Sequence, residues 1–369
     1  MKLVLTVDAI SPPLTGIGRY AWELARWLQS ASAEFESLRF LAGNVLMRSV
    51  EGLLSAPVRE RSMFVAKWWA RRQITSVLRD HLCHSPNYFL PRGVEGGIAT
   101  VHDLSVFKFP ETHPIERIRH FERNFSSTLD RAVHLITDSE AVRQEVITFF
   151  GWSPERVTAV ELGVSDRFFP RAAEELFAVR SLGLDIGRYA LCVSTLEPRK
   201  RVEGLLIAYA TLPSSLRARY PLVLAGSKGW LNDTLLSEIE KGESQGWLRY
   251  LGYVDEAILP QLYAGARAFL YPSVYEGFGL PVREALASGI PTLTSNCSSL
   301  PEAAGGAARL VEPDNLDELR VNIESVLCDE TWRANAIAAG LDVARRRTWS
   351  NCAEETISVY RRALAAQSL

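Results

Sequence analysis

The residues with the clearest chemical purpose are Glu276 and Glu284, two carboxylates on either side of Gly277-Phe278-Gly279-Leu280. Pro281 suits the first position of a helix and Gly289 its end, so the glycines sit where a strand ending at Tyr271 gives way to a helix. Glycine lets the backbone approach a ligand, and the amides at a helix N-terminus form an anion site. A carboxylate that accepts two hydroxyl hydrogen bonds holds a vicinal diol, each charge-assisted bond contributing about 1.5–3 kcal/mol. A ligand carrying both an anionic group and neighbouring hydroxyls suits this chemistry. A plainer reading takes both glutamates as helix-start acids favoured by the macrodipole. It leaves the glycines and Tyr271-Pro272-Ser273 without a role.

Three further sets of residues fit the same ligand. Arg199 and Lys200 stand in a Pro-containing loop after the apolar run Tyr189 to Val193, and fixed cations there would stabilise a leaving anion. The alternative is a solvated charge cluster in a turn. His102 and Asp103 follow a strand candidate; Asp103 would be the orienting partner of His102 or a helix cap. Gly16-Ile-Gly18 opens a helix and matches part of a dinucleotide-binding fingerprint, which keeps an NAD(P)-dependent oxidoreductase in view. Against it, the glycines follow Ser11-Pro-Pro13 and no strand-ending acid lies about 20 residues on. His81, Cys83 and His84 lack a second ligand pair, so packing residues are expected there and no metal site. No Asp-x-Asp ends a strand, and the expectation is a reaction that needs no metal or other cofactor.

These loops need strands to hold them. Leu3 to Val7 leads to a helix whose apolar positions are Tyr20, Leu24, Trp27 and Leu28. Strand candidates follow at Ala99–Val101, His134–Ile136 and Val157–Val160. A second opening, Tyr189 to Val193, precedes a helix from Val202 to Ala210. After it come Leu222–Leu224, Leu248–Tyr250, Ala268–Tyr271 and Thr292–Thr294. Short strands alternating with helical patterns predict parallel sheets with crossover helices, and the pattern starts twice. The expected fold is therefore α/β, two Rossmann-like doubly wound domains facing across a cleft: residues 1–170, residues 171–349, and a final helix, 350–369, that crosses back to the first. Gly163 to Arg188 reads as the linker.

The composition agrees with an ordinary globular chain. Its 369 residues exceed one usual core, 47% are apolar, and the net charge of −2 gives no drive toward nucleic acid. The cysteines Cys83, Cys192, Cys297, Cys328 and Cys352 form no C-x-x-C pair, which fits a reducing cytoplasm. No long apolar run suggests a membrane span. Arg59 to Arg79, however, combines Arg59, Arg61, Lys67, Arg71, Arg72 and Arg79 with Met63, Phe64, Trp68 and Trp69. It reads either as a helix lying on an anionic membrane or as an ordinary domain helix with buried tryptophans.

The segment Tyr271 to Gly289, with a glutamate, seven residues and a second glutamate, resembles the signature of the retaining GT-B glycosyltransferases of family 4. The resemblance extends along nearly the whole chain, through Gly16-Ile-Gly18-Arg-Tyr20, Thr100-Val-His102-Asp103-Leu104, Thr137-Asp-Ser139, Ser194-Thr-Leu-Glu-Pro-Arg199-Lys200, Leu251-Gly-Tyr-Val254 and Ser299-Leu-Pro-Glu302. It is strongest to bacterial mannosyltransferases of surface-polysaccharide (O-antigen type) assembly. It implies transfer of a hexosyl group, foremost mannose from GDP-mannose, to a glycan or polyprenyl-linked acceptor.

By that resemblance Glu276 contacts the sugar, Glu284 the ribose, Arg199 and Lys200 the diphosphate, and the backbone from Gly277 to Leu280 the sugar and phosphates. Tyr253 and Val254 border the base. Gly16, Gly18 and Ser194 line the donor or acceptor side, and His102 faces the sugar. Many members carry Gly-Arg-Leu where this chain has Ser194-Thr195-Leu196, so Arg199 stands in for the missing arginine. No general base is implied; the leaving phosphate helps to deprotonate the acceptor. The rivals are the oxidoreductase and a non-catalytic protein that binds sugar nucleotides. The expected location is the cytoplasm, with peripheral contact to the cytoplasmic membrane.

Overall fold

The apolar runs form two sheets in the computed structural model, which describes residues 1–14, 16–54, 64–229 and 233–367. The first contains β1 (Lys2–Thr6), β2 (Ser37–Ala42), β3 (Val45–Met47), β4 (Leu82–Ser85), β5 (Gly97–Val101), β6 (Ala132–Thr137) and β7 (Val157–Ala159), in the order β3-β2-β1-β4-β5-β6-β7. The second contains β8 (Ala190–Val193), β9 (Leu222–Ala225), β10 (Leu248–Tyr250), β11 (Ala268–Tyr271), β12 (Thr292–Ser295) and β13 (Arg309–Val311), in the order β10-β9-β8-β11-β12-β13. The described pairings are parallel except β2 with β3. Each sheet starts in the middle, builds outward, then returns to the other side of its first strand. That reversal is the doubly wound, Rossmann-like pattern, and it opens a crevice beyond the strand ends.

The chain divides into two units, Met1–Gly163 with Trp349–Leu369, and Val164–Thr348. Phe168, in the stretch read from sequence as linker, instead packs in the core of the second unit with Tyr263 and Phe269. Two consecutive phenylalanines, Phe168 and Phe169, are divided by burial: the first is enclosed and the second is exposed.

Both faces of the second sheet are buried, which the side-chain alternation of its strands requires. Ala190, Cys192, Leu222, Leu224, Ala268 and Leu270 enter one core, against Leu205, Tyr209, Leu319 and Ile323. Leu191, Val223, Ala225, Phe269 and Tyr271 enter the other, against Tyr263, Val282 and Leu286. Tyr271 thus ends its strand inside a core with its hydroxyl at the strand's carboxyl end. Neighbouring loops are pressed together there. Gly226, after β9, has φ +142, and a Cβ on it would lie 1.9 Å from the Ser194 carbonyl oxygen. A Cβ on Gly229 would lie 2.4 Å from the Leu196 carbonyl oxygen. Leu196 and Lys228 form a parallel bridge between these loops, with the Leu196 amide donating to the Ser227 carbonyl at 3.1 Å.

In the first unit the strands absent from the sequence reading have local causes. β2 and β3 are a hairpin closed by Gly43 and Asn44, with Gly43 at φ 55 and its amide donating to Asp8 Oδ1 at 2.6 Å. β4 carries His84 and Ser85, which hide its strand character. His84 is fully buried between the Tyr360 hydroxyl at 2.6 Å and the Thr100 hydroxyl at 2.9 Å, and burial pulls its pKa down to about 3. It is a neutral core histidine. His81 bonds instead to the Ser37 hydroxyl, so His81, Cys83 and His84 have separate structural roles. Tyr360 lies on the C-terminal helix, Trp349–Gln367, which packs on the helix Gly16–Ser30 of the same unit. Trp27, assigned by spacing to the apolar face of that helix, is 40% exposed, while Tyr20, Leu24 and Leu28 are enclosed.

The close approach at Gly226 sets an expected outcome. Gly226→Ala should destabilise the protein by at least about 3 kcal/mol, because strain at a positive φ adds to a backbone collision. Gly246→Ala, at φ +78 with open space around the added carbon, should cost only about 1–2 kcal/mol. Urea titrations of the two variants measure the difference.

Candidate active site

The switch point of the second sheet lies between β8 and β11, and the sequence delivers cations from one strand and a carboxylate from the other. After β8, Pro198 starts a single turn (Pro198–Lys200), and Arg201 at φ 52 redirects the chain into the helix Val202–Ala210. After β11, Pro272 to Gly279 forms the loop before the helix Leu280–Ala287. Two bonds to the Arg199 carbonyl join the loops: the Val274 amide donates at 2.9 Å and the Ser273 hydroxyl at 3.1 Å.

Lys200 and Arg199 converge on Glu276. Lys200 Nζ donates to Glu276 Oε1 at 2.5 Å and to the Tyr271 hydroxyl at 3.0 Å, while that hydroxyl donates to the same Oε1 at 2.8 Å. Arg199 Nη1 stands 3.5 Å from Glu276 Oε2 and donates to the Tyr275 carbonyl at 2.9 Å. Arg199 Nε donates to Glu197 Oε2 at 3.1 Å, and the Thr195 hydroxyl holds the other oxygen of Glu197 at 3.0 Å. Glu197, Lys200 and Glu276 are buried. Burial alone would raise the Glu276 carboxyl; the Lys200 and Arg199 charges and the Lys200 hydrogen bond outweigh it and hold the pKa at about 2. Burial also lowers the Lys200 ammonium, and Glu276 opposes that shift.

The backbone beyond Glu276 is held from the segment after β12. The Ser298 hydroxyl donates to the Glu276 carbonyl at 2.7 Å, and the Ser299 hydroxyl lies 2.8 Å from that carbonyl and 2.9 Å from that of Phe278. Phe278 is buried with Arg283 over its ring, so its side chain anchors the loop and only its backbone is placed to meet a ligand. Gly279 has φ +107, and a Cβ there would meet Leu300 at 2.8 Å. The helix then starts at Leu280, which puts the Gly279 and Leu280 amides at its positive end. Glu284, one turn on, is half-buried and faces the Tyr263 hydroxyl, whose pKa it helps to raise after burial. Ser194 follows β8; Tyr253 and Val254 follow β10, with Tyr253 exposed and Val254 against the core. The second unit therefore brings Ser194, Arg199, Lys200, Tyr253, Val254, Glu276 to Leu280, and Glu284 to the carboxyl ends of one sheet.

Gly16, Gly18 and His102 belong to the first unit. Gly16 and Gly18 occupy the first turn of the helix Gly16–Ser30. His102 is enclosed: Nδ1 meets Asp138 Oδ2 at 2.7 Å and Nε2 the Pro86 carbonyl at 2.9 Å. The Pro86 carbonyl can only accept, so Nε2 carries a proton, and an ionised Asp138 favours a second proton on Nδ1. Burial alone would lower the pKa of this ring, but the Asp138 charge and these bonds outweigh it and raise it. Asp103 is not the partner: its Oδ1 accepts from the Ser105 amide at 2.8 Å, in the turn before the short helix Ser105–Lys108, whose N-cap residue is Leu104. The sequence reading passed over Asp138, Glu197, Tyr271, Ser298, Ser299, Gly226 and Gly229 as site residues. Each stands in the loop that follows a strand or within the quoted motifs, the one signal that would have marked them.

With this geometry in place, the likenesses to known proteins become specific. The family described as Glycosyl transferases group 1 matches residues 181–342, the part that carries the Glu276 network. O-antigen chain mannosyltransferase B of Escherichia coli is 38% identical over 98% of this chain and 100% of its own. The serotype-specific mannosyltransferase WbdA of Escherichia coli is 31% identical over 67% of this chain, which corresponds to 31% of that longer protein. Among solved structures, WaaG, a glycosyltransferase involved in lipopolysaccharide biosynthesis, superposes with a TM-score of 0.70 at 17% identity, covering 96% of this chain and 98% of its own. Anabaena HepE, in complex with UDP and glucose, gives 0.73 at 15% identity, covering 98% and 99%. These neighbours carry the GT-B fold, and the oxidoreductase reading of Gly16 and Gly18 finds no support among these relatives. The chain belongs to the group 1 glycosyltransferases.

Proposed function

We propose that this glycosyltransferase moves mannose, with retention, from GDP-mannose to a glycan or polyprenyl-linked acceptor in surface-polysaccharide assembly. The observation that carries the reading is the convergence of Lys200 and Arg199 on Glu276 at the switch point of the second sheet. Mannose and the polysaccharide are supported by the name of the relative that matches end to end; guanine is our extension.

Lys200 and Arg199 take the diphosphate, whose negative charge grows as the glycosidic bond breaks. The amides at Gly279 and Leu280 add to that stabilisation. Glu276 accepts hydrogen bonds from the sugar hydroxyls, and Glu284 from the ribose. The two cations supply the charge a metal ion supplies elsewhere, and we propose a metal-independent reaction. No side chain is assigned as nucleophile; the leaving phosphate accepts the acceptor's proton on the same face. His102, with both nitrogens engaged, is assigned no hydroxyl to orient.

The acceptor's lipid supports a further part of the proposal, peripheral attachment to an anionic membrane. The helix Phe64–Asp80 exposes Arg71, Arg72 and Arg79. Arg59, Arg61 and Met63 lie outside the described residues, as do the side chains of Phe64, Lys67, Trp68 and Trp69. Among the described residues no helix is long and apolar enough to cross a membrane.

Melting shifts with GDP-, UDP-, ADP- and dTDP-sugars test the donor. GDP-mannose should give the largest, and a larger shift with UDP-sugars would overturn the guanine assignment. Glu284→Gln should weaken GDP-mannose binding about tenfold to a hundredfold, the value of one charge-assisted bond. Glu276→Gln should lower turnover mainly; equal losses of binding and turnover in both variants would contradict the division of roles. Activity should survive EDTA. In flotation assays the protein should rise with vesicles containing anionic lipid, and equal recovery with neutral vesicles would sink the membrane assignment.

A further inference from the structure

Glu276 sits between the two cations to which the proposed function assigns the diphosphate. Its Oε1 receives Lys200 and Tyr271, and its Oε2 faces Arg199. With Glu197 bound to Arg199, the four charged groups sum to zero before any ligand enters. Glu197 is fixed from both oxygens by Thr195 and Arg199, so it stays with the arginine. The exchangeable anion is Glu276. A diphosphate that draws Lys200 and Arg199 to itself strips this buried carboxylate of its cations and sets two anions side by side. An uncompensated buried charge is expensive, and like charges repel. Sugar hydroxyls attached to that diphosphate relieve the penalty by donating hydrogen bonds to the stranded carboxylate. Free nucleoside diphosphate brings none.

We propose that Glu276 is a specificity-determining residue that makes the site favour the intact sugar nucleotide over the free nucleoside diphosphate. It holds the seat between Lys200 and Arg199 until sugar hydroxyls replace its partners, and it reclaims that seat when the sugar leaves. The inference rests on the reading of this site as a sugar-nucleotide site. It gives one carboxylate two tasks: engaging the donor's sugar and expelling the spent diphosphate. Glu284, which faces the Tyr263 hydroxyl, has only the first kind of task.

Calorimetric titration of the full chain with GDP-mannose, GDP and inorganic pyrophosphate tests it. Glu276→Gln should bind GDP and pyrophosphate about tenfold tighter than the unaltered protein, because the competing negative charge is gone. GDP-mannose affinity should change only a few-fold, as lost sugar contacts offset that relief, so the preference for donor over product collapses. Glu284→Gln should weaken GDP and GDP-mannose alike and keep the preference. A purely structural role for Glu276 would lower the melting temperature without altering the donor-to-product ratio. Where Glu276→Gln does not fold, Glu276→Asp, with its charge withdrawn by one methylene, should shift GDP and pyrophosphate in the same direction by less. Binding of both ligands no tighter than in the unaltered protein would overturn the proposal. Tighter pyrophosphate binding with no GDP binding by either protein would uphold the counter-anion role and refute the guanine donor.

Discussion

A buried carboxylate between two cations is the constraint around which the second unit is arranged. Lys200 and Arg199 outweigh the burial that would neutralise Glu276, and Glu276 in turn opposes the lowering that burial imposes on Lys200. Removing one partner strands the other at a cost of about 3–5 kcal/mol, so the group must be assembled whole. Its members come from loops on adjacent strands, and each loop is pinned by contacts that have no other evident purpose. The Arg199 carbonyl is held by Val274 and Ser273, and the Glu276 carbonyl by Ser298 and Ser299.

The sheet order makes this possible. Winding outward from β8 and then returning to β11 leaves the two loops beside each other with no connection passing between them. The first unit repeats the order and puts a different polar device at its own strand ends, the His102 ring clamped by Asp138 and Pro86. Glycine has a particular task at these ends. Gly226 and Gly229 let the loop after β9 lie against the backbone of Ser194 and Leu196, which any side chain would push away.

Much of this was legible in the sequence because chemistry and punctuation coincided. β10, β11 and the helix Val202–Ala210 carry uniform apolar or alternating runs bounded by Pro, Gly or charge, and their bounds match the reading. β4 escaped because half its residues are polar and are satisfied by Tyr360, Thr100 and Thr6, partners on other elements. β13 opens on Arg309, whose guanidinium covers Trp332, an arrangement that composition hides. Phe168 looked like the end of a domain because Pro170 follows it; its burial against Tyr263 is a tertiary fact. At the site, Glu276, Arg199 and Lys200 stood out by type and spacing. Their mutual neutralisation did not, since spacing says which residues share a loop end and not which of them touch. Asp103 next to His102 invited a pairing that the structure gives to Asp138.

The central claim is that the second unit alone holds the donor's diphosphate, between the loops after β8 and β11. The most direct measurement is the difference density from crystals of the protein soaked in GDP-mannose. The account predicts two phosphate peaks within hydrogen-bonding distance of Lys200 and Arg199, with Glu276 turned from the lysine toward the sugar. Phosphate density seated instead at Gly16 and Gly18 of the first unit, with the Lys200–Glu276 pair intact, would contradict it.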